Sequence, residues 1–464
     1  MGGIGEGAII RNFEALVNNG RTEPDRRARR LALAAAEAAV RSADPRLAIR
    51  KCFSASERYA EVSGVRVDLS GAVYVLGAGK ATGRMAEAIE GLLDGKIAAG
   101  SINVLRGTES VFSLQRIAAH PAGHPIPDEG TIEGTRRILE LAERAGEGDI
   151  VFALISGGGS ALMELPQRGI SLEDLKRMND VLIRSGATIQ EINAVRKHVS
   201  RVKGGQLARA ARPAQVVGLI VSDIVGDPVD SIASGPTAPD PTSFEDAWEV
   251  LEKYDMVGEM PESVVEVLRR GLLGELPETP KPGDEVFEGV HNVVVASNSH
   301  AVSEAARALA QEGVSVVNLG SFVEGEARHV GRALAGILQA AKIQGVPAEP
   351  PAAIVSGGET TVRVTGSGKG GRNQELVLGA VEKLSDLEGA ALLSIGTDGI
   401  DGVTDAAGAI ADGRTLDRAL EAGMRPADFL RDNNSYEFFR RLGDLVLTGP
   451  TYTNVMDVQV AVAL

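Results

Sequence analysis

Short apolar runs that alternate with amphipathic helical stretches constrain the fold of this chain more than any other feature. In the first half such runs lie at residues 72–76, 102–105, 150–155 and 216–221. Strands that alternate with helices are typical of a parallel, doubly wound α/β sheet. A second series, at residues 293–296, 314–319, 353–355, 391–395 and 445–447, predicts a second α/β domain.

A change in composition separates the two series. Residues 254–290 are rich in Pro, Gly and Glu, as in GELPETPKPGDEVFEG, and the strand-helix rhythm stops there. A chain of 464 residues also exceeds what one core usually organises. We therefore predict an N-terminal domain over 1–253, a linker over 254–290 and a C-terminal domain over 291–464. The final apolar run alternates with Asp457 and Gln459, which predicts a half-exposed strand.

Composition and charge exclude several classes of function. Aromatic residues make up 3% of the chain and the net charge is -15, whereas proteins that bind nucleic acid need a basic surface and stacking side chains. Cys52 is the only cysteine, so no disulfide forms within the chain and a Cys-rich metal site is excluded. No run approaches the ~20 apolar residues of a membrane span, and the start lacks a signal-peptide core. We expect a cytoplasmic protein that binds neither nucleic acid nor membrane.

The segment from Gly77 to Gly83, GAGKATG, lies between a predicted strand and a predicted helix, where free backbone N–H groups accept an anion. It is not a Walker A loop, because Ala81 follows Lys80 where Ser or Thr would bind magnesium. It is also a poor dinucleotide fingerprint, because the next apolar run leads to Arg106 in place of an acidic ribose ligand. A tight turn with a solvated lysine explains the segment equally well.

Two more glycine segments follow predicted strands. Residues 156–160 read SGGGS and residues 356–359 read SGGE, and each predicts a glycine loop at the end of a strand, where open α/β sheets bind ligands. Close packing of a helix on a strand is the alternative for the first. Asn193 and Lys197 share one face of a predicted helix, for which a solvated surface is the commoner explanation.

Acidic residues at strand ends complete the candidate set. Asp223 and Asp227 follow one predicted strand and Asp398 follows another, where a carboxylate holds magnesium or accepts a hydroxyl proton, or simply caps a turn. A glycine-dense loop over 366–371 leads to Arg372 and predicts a flexible lid that carries a guanidinium suited to phosphate or carboxylate. The motifs of histidine- or cysteine-based catalysis are missing from the sequence. We interpret His120 and His124 as loop residues that line the cleft.

Several motifs in this order resemble the class II glycerate kinase family, also called the MOFRL family: VLGAGKA, LISGGGSAL, INAVRKHVSRVKGGQLA, VSDIVGDPVDSIASGPT, SGGETTV, GGRNQE, TDGIDGVTDAAGA and GPTYTNVMD. The resemblance extends from Val75 to Asp457. It implies phosphorylation of D-glycerate by ATP with Mg²⁺ or another divalent cation, usually to 2-phosphoglycerate. It also implies a Rossmann-like N-terminal domain and a smaller C-terminal MOFRL domain with the active site between them.

The resemblance assigns roles by motif. It places the essential cations at Lys80 and Arg372 and two acids at Glu359 and Asp398. We expect the catalytic and ligand-binding groups to be as follows: catalytic Lys80, Arg372, Asp223 and Asp398; nucleotide phosphates on Ser156, Gly157, Gly158, Gly159, Ser160, Asn193 and Lys197; metal on Asp227 and Glu359. One departure is GPTYTNVMD, where the family pattern has a small residue at Tyr452 and often Asn at Met456.

Two other functions stay open from sequence. One is an NAD(P)H-dependent hydroxypyruvate reductase, which acts on the same carbon skeleton. The other is a non-catalytic module that binds a sugar phosphate through the same glycine segments. Sequence does not decide between a monomer and a homodimer.

Overall fold

The computed structural model describes residues 8–464, which form two compact units. The first unit is Pro45–Val295, and the second combines residues 8–44 with Ala296–Leu464. The predicted boundaries therefore differ from the observed ones, because the N-terminal helices belong with the C-terminal part of the chain. The first seven residues of the predicted N-terminal domain lie outside the described residues.

The strands are β1 (Phe53–Ala55), β2 (Tyr59–Val62), β3 (Val65–Asp68), β4 (Val73–Ala78), β5 (Ile97–Leu105), β6 (Ile117–Ala122), β7 (Ile150–Ser156), β8 (Gln215–Val221), β9 (Val290–Ala296), β10 (Ser315–Asn318), β11 (Val323–Glu326), β12 (Ala352–Thr361), β13 (Ala390–Gly396), β14 (Gly408–Asp412), β15 (Leu445–Val446) and β16 (Asp457–Ala463). The helices are α1 (Phe13–Asn18), α2 (Glu23–Ser42), α3 (Pro45–Cys52), α4 (Thr82–Leu93), α5 (Glu129–Ala142), α6 (Gly159–Leu162), α7 (Leu172–Arg184), α8 (Ile189–His198), α9 (Gln206–Ala211), α10 (Phe244–Lys253), α11 (Glu262–Leu272), α12 (Asn298–Gln311), α13 (Ala327–Gln344), α14 (Arg372–Leu384), α15 (Thr415–Glu421), α16 (Pro426–Arg431) and α17 (Ser435–Leu442). Short 3₁₀ helices cover Glu109–Val111, Ile232–Ser234 and Glu285–Phe287. Within residues 8–464, no helix has the length and hydropathy of a transmembrane segment.

The main sheet of the first unit has the strand order β6-β5-β4-β7-β8-β9, and the pairs from β6 to β8 are parallel. All seven residues of β7 are buried, because α5 and α9 cover one face of the sheet and α4 packs on the other. A strand buried on both faces must be apolar throughout, which is why its sequence reads as a continuous hydrophobic run. The predicted parallel, doubly wound sheet is confirmed.

The strand order reverses between β4 and β7. The chain adds β5 and then β6 on one side of β4, and it returns to add β7 and β8 on the other side. This is the order of the Rossmann fold, in which ligands bind beyond the carboxyl ends of the strands at the point of reversal. The ends of β4 and β7 therefore mark the first place to look for a site.

The predicted linker is part of the first unit. Its helix α11 buries Val264 and Leu268 in a core shared with α7, α8 and α10. The strand predicted to open the second domain is β9, which extends the first sheet next to β8. Asn292 fixes it there, because its Nδ2 donates to the Thr237 carbonyl at 2.9 Å. The linker prediction was wrong because the polar composition of residues 254–290 does not reveal that they include an amphipathic helix with a buried face.

The second unit contains a mixed sheet, ordered β10-β12-β16-β13-β14-β15 with β11 also paired to β12. β10 and β11 run parallel to β12, whereas β16 lies antiparallel between β12 and β13. The C-terminal strand is thus central and all seven of its residues are buried. The prediction of a half-exposed strand is wrong, because the polar Gln459 has a buried partner: its Oε1 accepts from Ser356 Oγ at 3.0 Å.

A buried arginine ties the N-terminal helix α2 to the second unit. Arg29 is fully buried, and its Nε lies 2.5 Å from Asp412 Oδ2 while its Nη1 lies 2.9 Å from Asp444 Oδ1. Burial alone would raise the pKa of the Asp444 carboxyl, but Arg29 and Arg418 lower that pKa below its usual value. Because buried charges need compensation, this network explains why residues 8–44 join the C-terminal part of the chain.

Replacing Arg29 with Met is expected to destabilise the chain by about 3–5 kcal/mol, because two buried carboxylates would lose their partner. The neighbouring Arg30→Met is the matched control, since Arg30 pairs with Glu14 at the surface and such pairs contribute at most about 1 kcal/mol. Urea unfolding followed by circular dichroism measures both. Equal losses in the two variants would contradict the role given to Arg29.

Candidate functional site

The carboxyl ends of β4, β7 and β8 bring three predicted site elements together. Lys80 lies just beyond β4, and its backbone N–H donates to the carbonyl of Gly157 beyond β7 at 2.9 Å. A Cβ added at Gly157 would lie only 2.0 Å from Asp223 Oδ2, so the Asp223 carboxylate rests against the glycine loop. Lys80, the loop and Asp223 thus meet at the point of strand reversal, as the strand-end argument predicts.

Glycine is required at two positions of this arrangement. Gly79 has a φ of +145° and a Cβ there would lie 2.0 Å from Ser156 Oγ. Gly158 has a φ of +80°, and its missing side chain leaves room beside His124 Cδ2 and Lys80 Cε, which would lie 3.1 and 3.3 Å from a Cβ. The sequence therefore keeps a space over Gly158 that is bounded by an imidazole and an alkyl-ammonium chain.

The Lys80 side chain is exposed above this loop. Across residues 8–464, its ammonium has no hydrogen-bond or ion-pair partner. A cation without a carboxylate partner, beside a glycine loop at a strand end, is suited to hold an anion.

The hydroxyl of Ser156 serves the fold of the turn. Ser156 Oγ accepts from the backbone N–H of Ala81 at 3.0 Å and lies 3.2 Å from Thr82 Oγ1. It joins the end of β7 to the start of α4. Because this hydroxyl is engaged within the turn, the predicted phosphate contact of Ser156 would depend on its backbone, and Gly157, Gly158 and Gly159 have no side chain to obstruct theirs.

Asn193 and Lys197 share one face of α8, as predicted, but that face is buried. Asn193 Oδ1 accepts from Ser234 Oγ at 3.4 Å, and Ser234 Oγ lies 2.8 Å from Ser160 Oγ. Lys197 Nζ donates to the buried Asp240 at 3.2 Å. Asn193 thus supports the serine at the end of the loop, whereas the charge of Lys197 is already compensated.

A pocket of about 840 Å³ opens beside Gly158 and Ser160 within the first unit. Its walls come from the loop after β6, from α7 and from Arg196 of α8. Sequence reasoning missed these walls except for His124, which lines the pocket. The sequence held no signal for Arg196, because basic residues on a helix most often lie on a solvated face.

Arg372 is the first residue of α14 in the second unit, and two carboxylates hold it. Its Nε and Nη2 donate to Asp457 at 2.6 and 3.0 Å, and its Nη1 donates to Glu359 of β12. Burial opposes protonation, but these two acids raise the pKa of Arg372. Burial raises the pKa of Asp457 to about 7, although Arg372 pulls it down.

Asp457 is a site residue that sequence reasoning did not select. It begins β16, and its backbone is in register with Gly358 of β12 and Gly396 of β13. Glu359 follows Gly358 within β12 and Asp398 lies two residues after Gly396, the last residue of β13, so the pairing of these strands with β16 brings the predicted acids near Asp457. The sequence signal for Asp457 was that it is an acidic residue at the start of an apolar strand.

The segment SGGE does not form a loop, and that prediction is wrong. Ser356 to Glu359 lie inside β12. Gly357 and Gly358 are needed because added Cβ atoms would lie 2.0 Å from Asn298 Oδ1 and 2.2 Å from the Val323 carbonyl. The glycines therefore allow close packing, and Glu359 projects from a strand.

The glycine-dense segment before Arg372 is held along its length. The backbone N–H groups of Gly366, Ser367 and Gly368 donate to residues 432 and 433 at 2.8–2.9 Å. Asp401 then accepts from the first free N–H groups of α14, those of Asn373 and Gln374, at 3.0 and 2.9 Å. These contacts argue against a loose lid and place Arg372 on a fixed helix start.

The predicted metal ligands are single carboxylates on different elements. Asp227 lies in a turn with a φ of +56°, and Glu359 is half-exposed beside Arg372. Among residues 8–464, no group of three or more His, Cys, Asp or Glu side chains is close enough to hold a metal ion. Mg²⁺ often binds through one or two carboxylates together with substrate phosphates, so single acids are compatible with it. Both assignments stay predictions.

The strand order, the glycine loop and a lysine without a partner among residues 8–464 are typical of α/β proteins that bind an anionic ligand at a Rossmann switch point. Comparison with known proteins narrows this class of protein to one family. A family model described as Domain of unknown function (DUF4147) matches residues 31–269, and the MOFRL family model matches residues 352–457. Glycerate 2-kinase of Pyrococcus horikoshii is 47% identical over 91% of this chain and 94% of its own length.

A crystal structure of glycerate kinase from Thermotoga maritima superposes with a TM-score of 0.84 at 39% identity, covering 94% of this chain and 99% of that one. An Agrobacterium vitis protein with a provisional hydroxypyruvate reductase name is 41% identical over 91% of this chain and 92% of its own length. The chain belongs to the MOFRL family of glycerate kinases.

The charge of Lys80 and burial both lower the pKa of His124, burial having the larger effect. Lys80→Met is therefore expected to raise the His124 pKa, which imidazole proton resonances followed against pH would report. His120 is the internal control, because burial and Arg137 lower its pKa. An unchanged pKa of His124 in Lys80→Met would show that Lys80 does not lie over the loop in solution.

Proposed function

We propose that this chain transfers the γ-phosphoryl group of ATP to a hydroxyl of D-glycerate, giving 2-phosphoglycerate and ADP. The observation that carries the proposal is the ammonium of Lys80, which has no partner within residues 8–464 and stands over a glycine loop at the switch point. Membership of the family supports the choice of substrates. The cytoplasm remains the expected compartment.

Phosphoryl transfer depends on positioning and charge compensation more than on covalent catalysis. The backbone of Gly157 to Ser160 would hold nucleotide phosphates, and Lys80 would neutralise the group in transfer. The attacking hydroxyl needs a carboxylate to accept its proton. Asp223, which rests against the loop, and Asp398, at the edge that carries Asp457, are the two candidates.

We propose that Arg372 acts on the same substrates, through the N–H groups that its terminal nitrogens keep beyond their bonds to Glu359 and Asp457. Asp457 is then a positioning residue, because its bidentate contact fixes the plane of the guanidinium. A divalent cation, held by Asp227 or by Glu359 with the nucleotide phosphates, would supply further neutralisation of phosphate charge. Its identity as Mg²⁺ is part of the proposal.

Lys80→Ala is expected to lower kcat/KM about a hundredfold, because one contact to developing charge is lost. Arg372→Lys is expected to have a similar effect, since lysine cannot reproduce the planar fork. The matched control is Lys96→Ala, a lysine that precedes β5 at the opposite edge of the sheet. ADP release with D-glycerate measures all three. Near-normal turnover in both site variants would refute these roles.

The hydroxypyruvate reductase alternative has one structural point in its favour, the dinucleotide-type strand order. Against it, β5 ends at Leu105 and is followed by Arg106 in place of a ribose-binding acid. The Arg106 guanidinium donates to Asp128 from Nε and Nη2, at 3.0 and 2.6 Å. Kinase function therefore fits better.

One pair of assays separates these activities. We expect ADP formation from ATP and D-glycerate, with a phosphorus NMR signal coupled to the proton on C2 of the product. Absorbance of NADH or NADPH is expected to stay constant with hydroxypyruvate. Consumption of either reduced cofactor without ATP-dependent phosphorylation would overturn the proposal, and coupling to C3 protons would correct the regiochemistry.

A further inference from the structure

The pocket beside the glycine loop has an apolar wall. Pro125 and Ile126 contribute to it from the loop after β6, and Ile183 contributes from the last turn of α7. Ile126 is 61% exposed and Ile183 is 66% exposed. Apolar side chains that line a concave surface of this kind are typical of a small-molecule site.

The rest of the lining is polar and of mixed charge, with the acids Glu173 and Asp180 beside the bases Lys176, Arg177 and Arg196. Gly158 and Ser160 form its floor, and Arg196 closes it from α8. Arg196 Nε donates to Asn179 Oδ1 at 2.7 Å. Within the described chain, the terminal nitrogens of Arg196 have no hydrogen-bond or ion-pair partner.

Arg196 is half-buried, and no carboxylate forms a salt bridge with it among the described residues. Burial lowers the pKa of its guanidinium, and Glu164 only partly offsets that effect. Removing a guanidinium from water without an anionic partner is unfavourable. An anion bound in the pocket would complete its hydrogen bonds, and a planar fork suits phosphate oxygens.

We propose that this pocket binds the nucleoside end of ATP, with the base and ribose against Ile126 and Ile183 and the phosphates leading across Gly158 towards Arg196. The assignment rests on the proposed kinase function and adds to it the position of the nucleotide and a phosphate ligand. The pocket volume of about 840 Å³ favours a nucleotide over a three-carbon acid. An acid of that size would not cover the apolar wall, which would then stay in contact with water.

Ile183→Asn tests the apolar wall. The KM for ATP is expected to rise about tenfold, because the apolar surface that the nucleoside would cover is replaced by an amide, while the KM for D-glycerate and the kcat stay unchanged. Ile343→Asn is the matched control. It is 65% exposed and, like Ile183, it is the second-last residue of its helix, but it does not line the pocket.

Arg196→Met tests the phosphate contact, with Arg196→Lys as the conservative variant. The KM for ATP is expected to rise roughly tenfold to hundredfold in Arg196→Met, and Arg196→Lys is expected to recover part of the loss. Inorganic tripolyphosphate has phosphates but no nucleoside. Used as a competitive inhibitor against ATP, it distinguishes the effect of Arg196 on phosphate binding from the effect of Ile183 on nucleoside binding. Its inhibition constant should rise in Arg196→Met and stay constant in Ile183→Asn.

Different outcomes overturn different conclusions. A rise in the KM for D-glycerate alone, or an unchanged KM for ATP in both pocket variants, would show that the nucleotide lies elsewhere although the kinase function stands. If the natural chain does not phosphorylate D-glycerate, the proposed function fails. Calorimetric titration of ADP into the natural chain, Ile183→Asn and Arg196→Met then still decides the pocket, since equal affinities or no binding would exclude it.

Discussion

The reversal of strand order between β4 and β7 is the constraint on which the first unit depends. Because successive connections leave these neighbouring strands in opposite directions, no connection covers the gap between their carboxyl ends. The chain fills that gap with glycine, and the bond from Lys80 N–H to the Gly157 carbonyl fixes the two strand ends to each other. Three features follow from this reversal of strand order: the position of Lys80, the contact of Asp223 with the glycine loop, and the pocket beside Gly158.

The two cationic residues at the centre of the proposal differ in their electrostatic state. Lys80 is exposed, and among residues 8–464 its ammonium has no partner, so it is available to bind a ligand. Arg372 is held between Glu359 and Asp457, so its charge is largely neutralised before any substrate arrives. Lys80 is therefore suited to attract phosphate, whereas Arg372 is suited to orient it, because a guanidinium fixed in plane and position discriminates by geometry.

Much of the fold could be predicted from sequence, because buried parallel strands leave continuous apolar runs that survive without knowledge of their neighbours. The predicted glycine loop after β7 and the helix face shared by Asn193 and Lys197 are such local features. The central position of β16 could not be predicted, because alternation of polar and apolar residues looks the same whether the polar side chains contact water or a buried partner such as Ser356. Lys80 and Arg372 were selected from their glycine-rich segments, and the family resemblance added their essential role.

Long-range pairing accounts for the rest of the differences. The linker prediction failed because a polar composition does not reveal that α11 packs one face against α7. Arg196 was missed because an unpartnered guanidinium is recognised only by the absence of a carboxylate near it, which is a property of the tertiary structure. The site was thus predictable where its residues lie in glycine motifs, and not where they form the walls of a cavity.

The buried Arg29 network also has a consequence for the order in which the chain acquires its structure during synthesis. Arg29 and Asp412 are 383 positions apart, so at about 5–20 residues per second the ribosome delivers the second partner roughly 20–80 s after the first. The intervening Pro45–Val295 unit has its whole sequence available well before then. Helix α2 therefore emerges early but gains its buried partners only near the end of synthesis, and its apolar face is exposed to water and to other chains throughout that interval.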